Sequence, residues 1–194
     1  MRHLSGEARR PNLYGLITRG VPIVVLLALA LLLWTTRQQM LSAVSAVQSG
    51  AQEGSLAPNF TLPTLGGGSI TLSQLRGRPV YLNFFTSWCP ACRAEAPELE
   101  KLHQVLGSRA VIIGVDMTIS ERSVRDVEAF AQQFGITYPI ALDKTGAVST
   151  MYLVKNIPLQ VFIDRNGVIR SMSTGQMSYQ EMYGALAPLV VHGP

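Results

Sequence analysis

The chain has 194 residues, 47% of them apolar and 14% charged, which suits one globular domain plus an extra hydrophobic segment and excludes a disordered protein. Five of the sixteen basic residues and one of the twelve acidic residues precede residue 51, so the remainder carries eleven of each. The net charge of +4 therefore belongs to the N-terminal segment, and no basic stripe is left for a nucleic-acid backbone.

An apolar stretch near the N-terminus predicts a membrane anchor. Residues 21–34 are almost purely aliphatic, and a helix over Leu13 to Thr36 would be about 36 Å long, enough to cross a hydrocarbon core of about 30 Å. Four arginines precede the apolar run and one follows it, so the positive-inside rule keeps the N-terminus in the cytoplasm. We therefore expect a single-pass cell-membrane protein whose folded domain lies outside the cytoplasm, in a periplasm or at the outer face of the membrane.

Two other interpretations of this stretch stay open. A cleaved signal peptide has an apolar run of similar length, although the small residues at 43–46 lie farther from the run than a typical cleavage site. A buried core helix is the other, but it would not need the asymmetric flanking arginines. We favour the uncleaved anchor and divide the chain into a cytoplasmic tip and anchor (1–36), a polar stalk rich in small residues (37–56) and a folded domain (57–194).

The folded domain alternates short apolar runs with amphipathic segments, which is typical of a layered α/β fold. A hairpin is predicted from Phe60–Leu65 and Ser69–Leu72, which flank three glycines, and the apolar runs Val80–Phe85 and Ala110–Val115 predict buried strands. The other predicted elements are a helix over Pro90–Leu106 with Leu99, Leu102, Val105 and Leu106 on its apolar side, a helix between Ser123 and Gly135, a hairpin of 161–164 with 168–172, and a last helix from the capping box of Ser178 and Glu181 toward Val191. These elements predict a sheet of about five strands with helices on both faces.

The two cysteines of the chain, Cys89 and Cys92, lie in a Trp-Cys-Pro-Ala-Cys sequence where the first apolar strand meets the following helix. A sulfur at a helix N-terminus faces unpaired N–H groups and the positive end of the helix dipole, which favours the nucleophilic thiolate. The second sulfur lies about one turn along, close enough to form an intramolecular disulfide. Pro90 suits the first helical position because it has no N–H to leave unpaired. The spacing predicts a redox-active dithiol.

Two structural interpretations of this motif are weaker. A zinc site usually needs four ligands, and the chain has no second CxxC and only three scattered histidines. A purely structural disulfide would close a very small loop and constrain little of the unfolded chain.

Beyond the motif, the chain resembles the thioredoxin superfamily, and within it the membrane-anchored TlpA/ResA-like group with an AhpC/TSA-type redoxin domain. The resemblance runs from Ala57 to Val190 and includes APNFTLPTL, LSQLRGRPVYLNFFTSWCPACRAEAPEL and IPLQVFIDRNGVI. It implies a thioredoxin fold, with a central mixed sheet flanked by helices, an added N-terminal β-hairpin and an insert within Asp116–Tyr152.

The resemblance also implies roles for residues around the cysteines. Pro158, after Ile157, matches the cis-proline that faces the dithiol in such folds, and these two residues with Trp88 and Pro90 are expected to contact the substrate. Leu159 stands where the family commonly has Thr, so an apolar side chain is expected near the dithiol.

Glu95 lies three residues after Cys92, hence on the same face of the helix. In the ResA-like group a carboxylate at the matching place assists proton transfer to and from the cysteines. The alternative is an ordinary solvated helix acid. Asn83 occupies the place of the buried Asp of cytoplasmic thioredoxins, which favours Glu95 as the proton relay.

The resemblance implies a thiol–disulfide oxidoreductase in which Cys89 attacks a disulfide and Cys92 resolves the mixed disulfide. The expected substrates are exported proteins, and the resemblance suggests apocytochrome c among them. We expect no cofactor beyond the Cys89–Cys92 disulfide itself. The sequence has no flavin or nicotinamide fingerprint, so the electrons must come from elsewhere. The resemblance implies that a membrane electron-donor protein supplies them.

Three alternatives for the activity stay open. A dithiol oxidase would run the same chemistry in reverse. A thiol peroxidase shares the superfold, and Thr86 fits part of the peroxiredoxin Pro-x-x-x-Thr-x-x-Cys pattern, but Leu82 replaces its proline. A copper(I)-binding module would use the two thiolates without catalysis.

Overall fold

The computed structural model describes residues 25–37 and 50–191, and the chain divides into two units between Ser49 and Gly50. The first unit contains helix α1 (25–37), whose apolar side chains are exposed. Within the described ranges, no helix has both the length and the apolar character that crossing a membrane requires. The start of the predicted anchor, before residue 25, and most of the predicted stalk lie outside the described residues, so both stay predictions.

The second unit is built on a five-stranded mixed sheet next to a small hairpin. The hairpin strands, β1 (Thr61–Pro63) and β2 (Ser69–Thr71), pair antiparallel as predicted. The sheet strands are β3 (Val80–Phe85), β4 (Val111–Asp116), β5 (Ile140–Leu142), β6 (Leu159–Ile163) and β7 (Ile169–Thr174). Their order is β5-β4-β3-β6-β7, with β3, β4 and β5 parallel and β6 antiparallel to both of its neighbours. The prediction of about five strands is confirmed.

Side chains of β3 alternate between two core clusters because successive residues of a strand point to opposite faces. Leu82 and Phe84 join one cluster, whereas Tyr81 and Phe85 join the other. All six residues of β3 are buried, as expected of a strand that is covered on both faces.

Helices cover both faces of the sheet, as predicted. They are α2 (Pro90–Leu106), α3 (Val124–Phe134), α4 (Ala147–Met151) and α5 (Tyr179–Val191). Buried residues of α2, α3 and α5 share one core cluster with the cysteines. The short α4 contributes Val148 to the other cluster, together with the hairpin residue Leu62. The predicted insert within Asp116–Tyr152 contains α3, β5 and α4.

Two details differ from the predictions. The compact unit begins at Gly50 rather than at Ala57, because Ala51 is buried and residues 51–56 make backbone hydrogen bonds to the rest of the unit. Val105 was placed on the apolar side of α2 but is 45% exposed. It lies about 100° around the helix from Leu106, outside the buried stripe.

Candidate active site

Cys89 lies at the junction of β3 and α2, where it is the N-cap residue of the helix. Its N–H donates to the Thr86 carbonyl at 3.3 Å, and its sulfur accepts a hydrogen bond from the backbone N–H of Cys92, also at 3.3 Å. Pro90 is the first residue of the helix and is exposed. An N–H group of the first helical turn thus points at the Cys89 sulfur.

Both cysteines are free thiols in the structure and are buried. Burial is the main factor that raises the pKa of the Cys92 thiol well above its ordinary value, and its interactions with Cys89 and the charge of Glu95 add to the rise. Cys92 is therefore held as a neutral thiol and needs a base before it can attack.

The peptide bond between Ile157 and Pro158 is cis, as predicted. The Cys89 thiol lies 4.0 Å from the Ile157 carbonyl oxygen, so the segment before β6 faces the attacking sulfur. Leu159 does not lie beside the dithiol as expected. Its side chain is buried in the core cluster that lacks the cysteines, because the strand turns it to the opposite face of the sheet.

Trp88 is 55% exposed beside the buried cysteines. Its indole N–H donates to the Ser120 carbonyl at 3.0 Å, which fixes the ring while leaving it open to solvent. A flat apolar surface is thus presented next to Cys89.

Glu95 is almost completely buried, at 1% exposure, so it is not a solvated helix acid. Its Oε1 accepts hydrogen bonds from the Asn83 amide at 2.8 Å and the Tyr81 hydroxyl at 3.2 Å. Gln160 donates to both carboxyl oxygens, and the Met177 N–H donates to Oε2 at 3.2 Å. Burial raises the pKa of Glu95 above its ordinary value, although these donors oppose the shift.

Tyr81 and Gln160 are partners of Glu95 that the sequence motifs do not predict. A signal was present for Gln160, because it is a single polar residue in the apolar strand LQVFI. Tyr81 gave no such signal, since a tyrosine in a buried strand is ordinary core composition.

Residues 54–172 match the AhpC/TSA family. The chain belongs to this family. Among relatives of this AhpC/TSA protein, the thioredoxin-like protein YneN of Bacillus subtilis is 36% identical over 154 residues, 79% of this chain and 90% of YneN. The thiol-disulfide oxidoreductase ResA of Geobacillus thermodenitrificans is 33% identical over 160 residues, 82% of this chain and 88% of ResA.

A solved structure resembles this AhpC/TSA protein as well. It is that of a secreted Mycobacterium tuberculosis disulfide oxidoreductase homologous to E. coli DsbE, with a TM-score of 0.60 and 28% identity over 66% of this chain and 94% of that chain. The thioredoxin fold is thereby confirmed, and the protein is an enzyme of the thiol–disulfide oxidoreductase class.

Proposed function

We propose that this protein reduces disulfides of exported proteins outside the cytoplasm, with Cys89 as the attacking thiol and Cys92 as the resolving thiol. One observation carries the proposal. The Cys89 sulfur accepts an N–H of the first turn of α2 and faces the segment of cis-Pro158, whereas Cys92 is held protonated behind it. Such an asymmetric pair performs the two steps of disulfide reduction in a fixed order.

In the first step, the Cys89 thiolate attacks one sulfur of the substrate disulfide. A bond forms between that sulfur and Cys89, the substrate S–S bond breaks, and the other substrate sulfur leaves as a thiolate that takes up a proton. Trp88, Pro90, Ile157 and Pro158 surround the attacking sulfur and contact the substrate chain.

In the second step, Cys92 loses its proton and attacks the Cys89 sulfur. The substrate leaves as its second thiolate and is protonated, so it has gained two electrons and two protons while Cys89 and Cys92 have become a disulfide. Glu95, whose charge reaches Cys92 and whose pKa is raised, accepts the Cys92 proton.

The location and the partners belong to the same proposal. The apolar run that includes α1, with basic residues mainly before it, supports an anchor with its N-terminus in the cytoplasm. The similar M. tuberculosis enzyme is described as secreted. A membrane electron-donor protein would return the Cys89–Cys92 disulfide to the dithiol, and apocytochrome c is one candidate substrate.

The equilibrium reduction potential of the dithiol in the full chain tests the direction of the reaction. A value near about −270 mV is expected of a reductant, whereas a value near about −120 mV would make the protein a dithiol oxidase. The variants C89S and C92S are the controls. C89S should lose all disulfide reduction, and C92S should accumulate the mixed disulfide; reduction retained by C89S would refute the assigned roles.

Labelling of intact cells tests the location. A membrane-impermeant thiol reagent should modify reduced Cys89 without cell lysis, and C89S is the matched control. Labelling that requires lysis would contradict the extracytoplasmic placement. The cytochrome c part fails if cells that lack the gene keep normal levels of c-type cytochromes.

A further inference from the structure

Ser87 lies two residues before Cys89, and each of its polar atoms makes a hydrogen bond. Its backbone N–H and its hydroxyl both donate to the carboxylate of Glu121, the hydroxyl at 2.7 Å. Its carbonyl accepts a hydrogen bond of 2.9 Å from the guanidinium of Arg93. Ser87 is itself buried, so these partners replace the water that its polar atoms would otherwise need.

Apart from Arg93, the residues that hold Ser87 and its neighbours come from one segment, 117–121, which follows β4. We call it the clamp segment. Besides the contacts of Glu121 with Ser87, its Ser120 carbonyl accepts the indole N–H of Trp88, and the Met117 N–H donates to the Phe85 carbonyl at 3.0 Å. The clamp segment thus contacts successive parts of the chain between the end of β3 and the cysteine pair.

A buried carboxyl group, that of Asp116, directly precedes the clamp segment and contacts it. Asp116, at the end of β4, is completely buried, and its Oδ1 accepts a hydrogen bond of 2.7 Å from the Thr118 hydroxyl of the clamp segment. Burial, followed by the charges of Glu121 and Asp143, raises the pKa of Asp116 to about 7. Asp116 therefore keeps its proton up to about neutral pH.

We infer that Glu121 is a positioning residue for disulfide exchange: through Ser87 and the clamp segment it sets the place of Trp88 and of the Cys89 sulfur. This role rests on the proposed dithiol chemistry and adds to it a residue outside both the cysteine motif and the Glu95 network. A carboxyl group suits the task because its two oxygens accept from both donors of Ser87, whereas an amide has only one acceptor oxygen.

The test compares E121A and E121Q with E128Q, which changes an exposed acid of α3, in the full chain purified in detergent. All variants carry W34F, so Trp88 is the sole tryptophan and its emission reports the turn directly. We expect E121A to slow exchange of the reduced protein with oxidised glutathione about tenfold, the effect of leaving buried donors unpaired. The exchange rate of E121Q should lie between those of E121A and the W34F parent, and the rate of E128Q should match that of the parent. The Trp88 emission should shift to longer wavelength in E121A alone or in both Glu121 variants.

A double-mutant cycle checks that Glu121 acts through Ser87. The combined loss in S87A/E121A should be smaller than the sum of the two single losses, because both remove the same contact. Additive losses would overturn the inference, and so would an E121A protein with the parental rate and emission. If E121A does not fold, the exchange rate and the Trp88 emission of E121Q test the inference instead. A parent protein that does not exchange with glutathione refutes the proposed function instead, and the Trp88 emission then decides the positioning role.

Discussion

At the residue scale, Glu95 combines burial with neutral hydrogen-bond donors. The donors of Tyr81, Asn83, Gln160 and Met177 hold the carboxyl group, and no cationic side chain among the described residues pairs with it. Burial therefore prevails, and the pKa of Glu95 is raised. A carboxyl group in this condition keeps its proton to higher pH than an ordinary surface acid does. It can therefore serve the equally buried Cys92.

Replacing Glu95 by Gln should slow the second step of disulfide reduction about a hundredfold, because Cys92 loses its base. In the wild-type protein the rate should rise with pH through the raised pKa of Glu95, since only the deprotonated carboxylate accepts the proton. E95Q should lack this rise. Rapid-quench measurement of mixed-disulfide decay checks the prediction, with E98Q as the control on the same helix. An unchanged pH profile in E95Q would show that Glu95 is not the base.

Asp116 should make the stability of the protein depend on pH. Its carboxyl group keeps its proton up to about pH 7 when folded but only up to about pH 4 when unfolded. Between these values the folded state binds more protons, so the free energy of unfolding falls as pH rises through this window and levels off above it. D116N should remove this decline and raise stability at pH 8 by on the order of 2 kcal/mol.

Urea unfolding of wild-type and D116N proteins at pH 5 and pH 8 measures this effect. D126N controls for the loss of one negative charge elsewhere in the same unit. A decline with pH that is equally steep in D116N would mean that another group causes it.

At the element scale, the helix ends are held partly by backbone conformation and partly by side-chain caps. Gly135 ends α3 in the left-handed conformation, with φ of 62°, and its N–H donates to the carbonyls of Ala131 and Gln132. Ser123 is the N-cap of α3 as predicted, yet its hydroxyl bonds to the Asp126 carboxylate and not to the backbone. In α5 the predicted capping box is confirmed by the hydrogen bonds between Ser178 and Glu181.

Two glycine substitutions should have opposite effects on stability. G135A should lower the free energy of unfolding by about 1 kcal/mol, because a Cβ atom disfavours the left-handed conformation even where space is free. G184A, in exposed helical backbone of α5 with no atom near the new methyl group, should raise it by about 0.5 to 1 kcal/mol. Denaturant unfolding of both variants provides the comparison, and destabilisation by G184A would contradict the helix propensity argument.

At the scale of the whole unit, residues 50–56 contribute more to the folded unit than their polar composition suggested. The Ala51 N–H donates to Met151, the Gly54 N–H donates to the Ile169 carbonyl, and the Ile169 N–H returns a bond to Ser55. These contacts join residues more than ninety positions apart, so no local pattern could have predicted them. A polar, small-residue composition is equally typical of a stalk and of a segment held by its backbone.

A chain that begins at residue 50 should therefore be more stable than one that begins at residue 57. We expect a difference of about 2 to 4 kcal/mol, from the lost backbone hydrogen bonds and the exposed Ala51 site. Guanidinium unfolding of the two proteins measures it. A chain that begins at residue 38 is the control and should match the one that begins at residue 50. Equal stability of all three proteins would mean that residues 50–56 contribute nothing to the free energy of unfolding.

The sequence by itself determined most of the elements and the cysteine pair of this protein, but gave no prediction for β5 or α4. Apolar runs, turn glycines and caps are local signals, and they were sufficient for β3, α2 and both hairpins, while the strand–helix junction placed Cys89 at an N-cap. Only the tertiary structure decided the surroundings of that pair. Glu95 became a buried acid because β3, β6 and the residues before α5 converge on it, and Glu121 reached Ser87 because β3 and β4 are neighbours in the sheet. Such contacts depend on which segments pack together, a property that no short stretch of sequence contains.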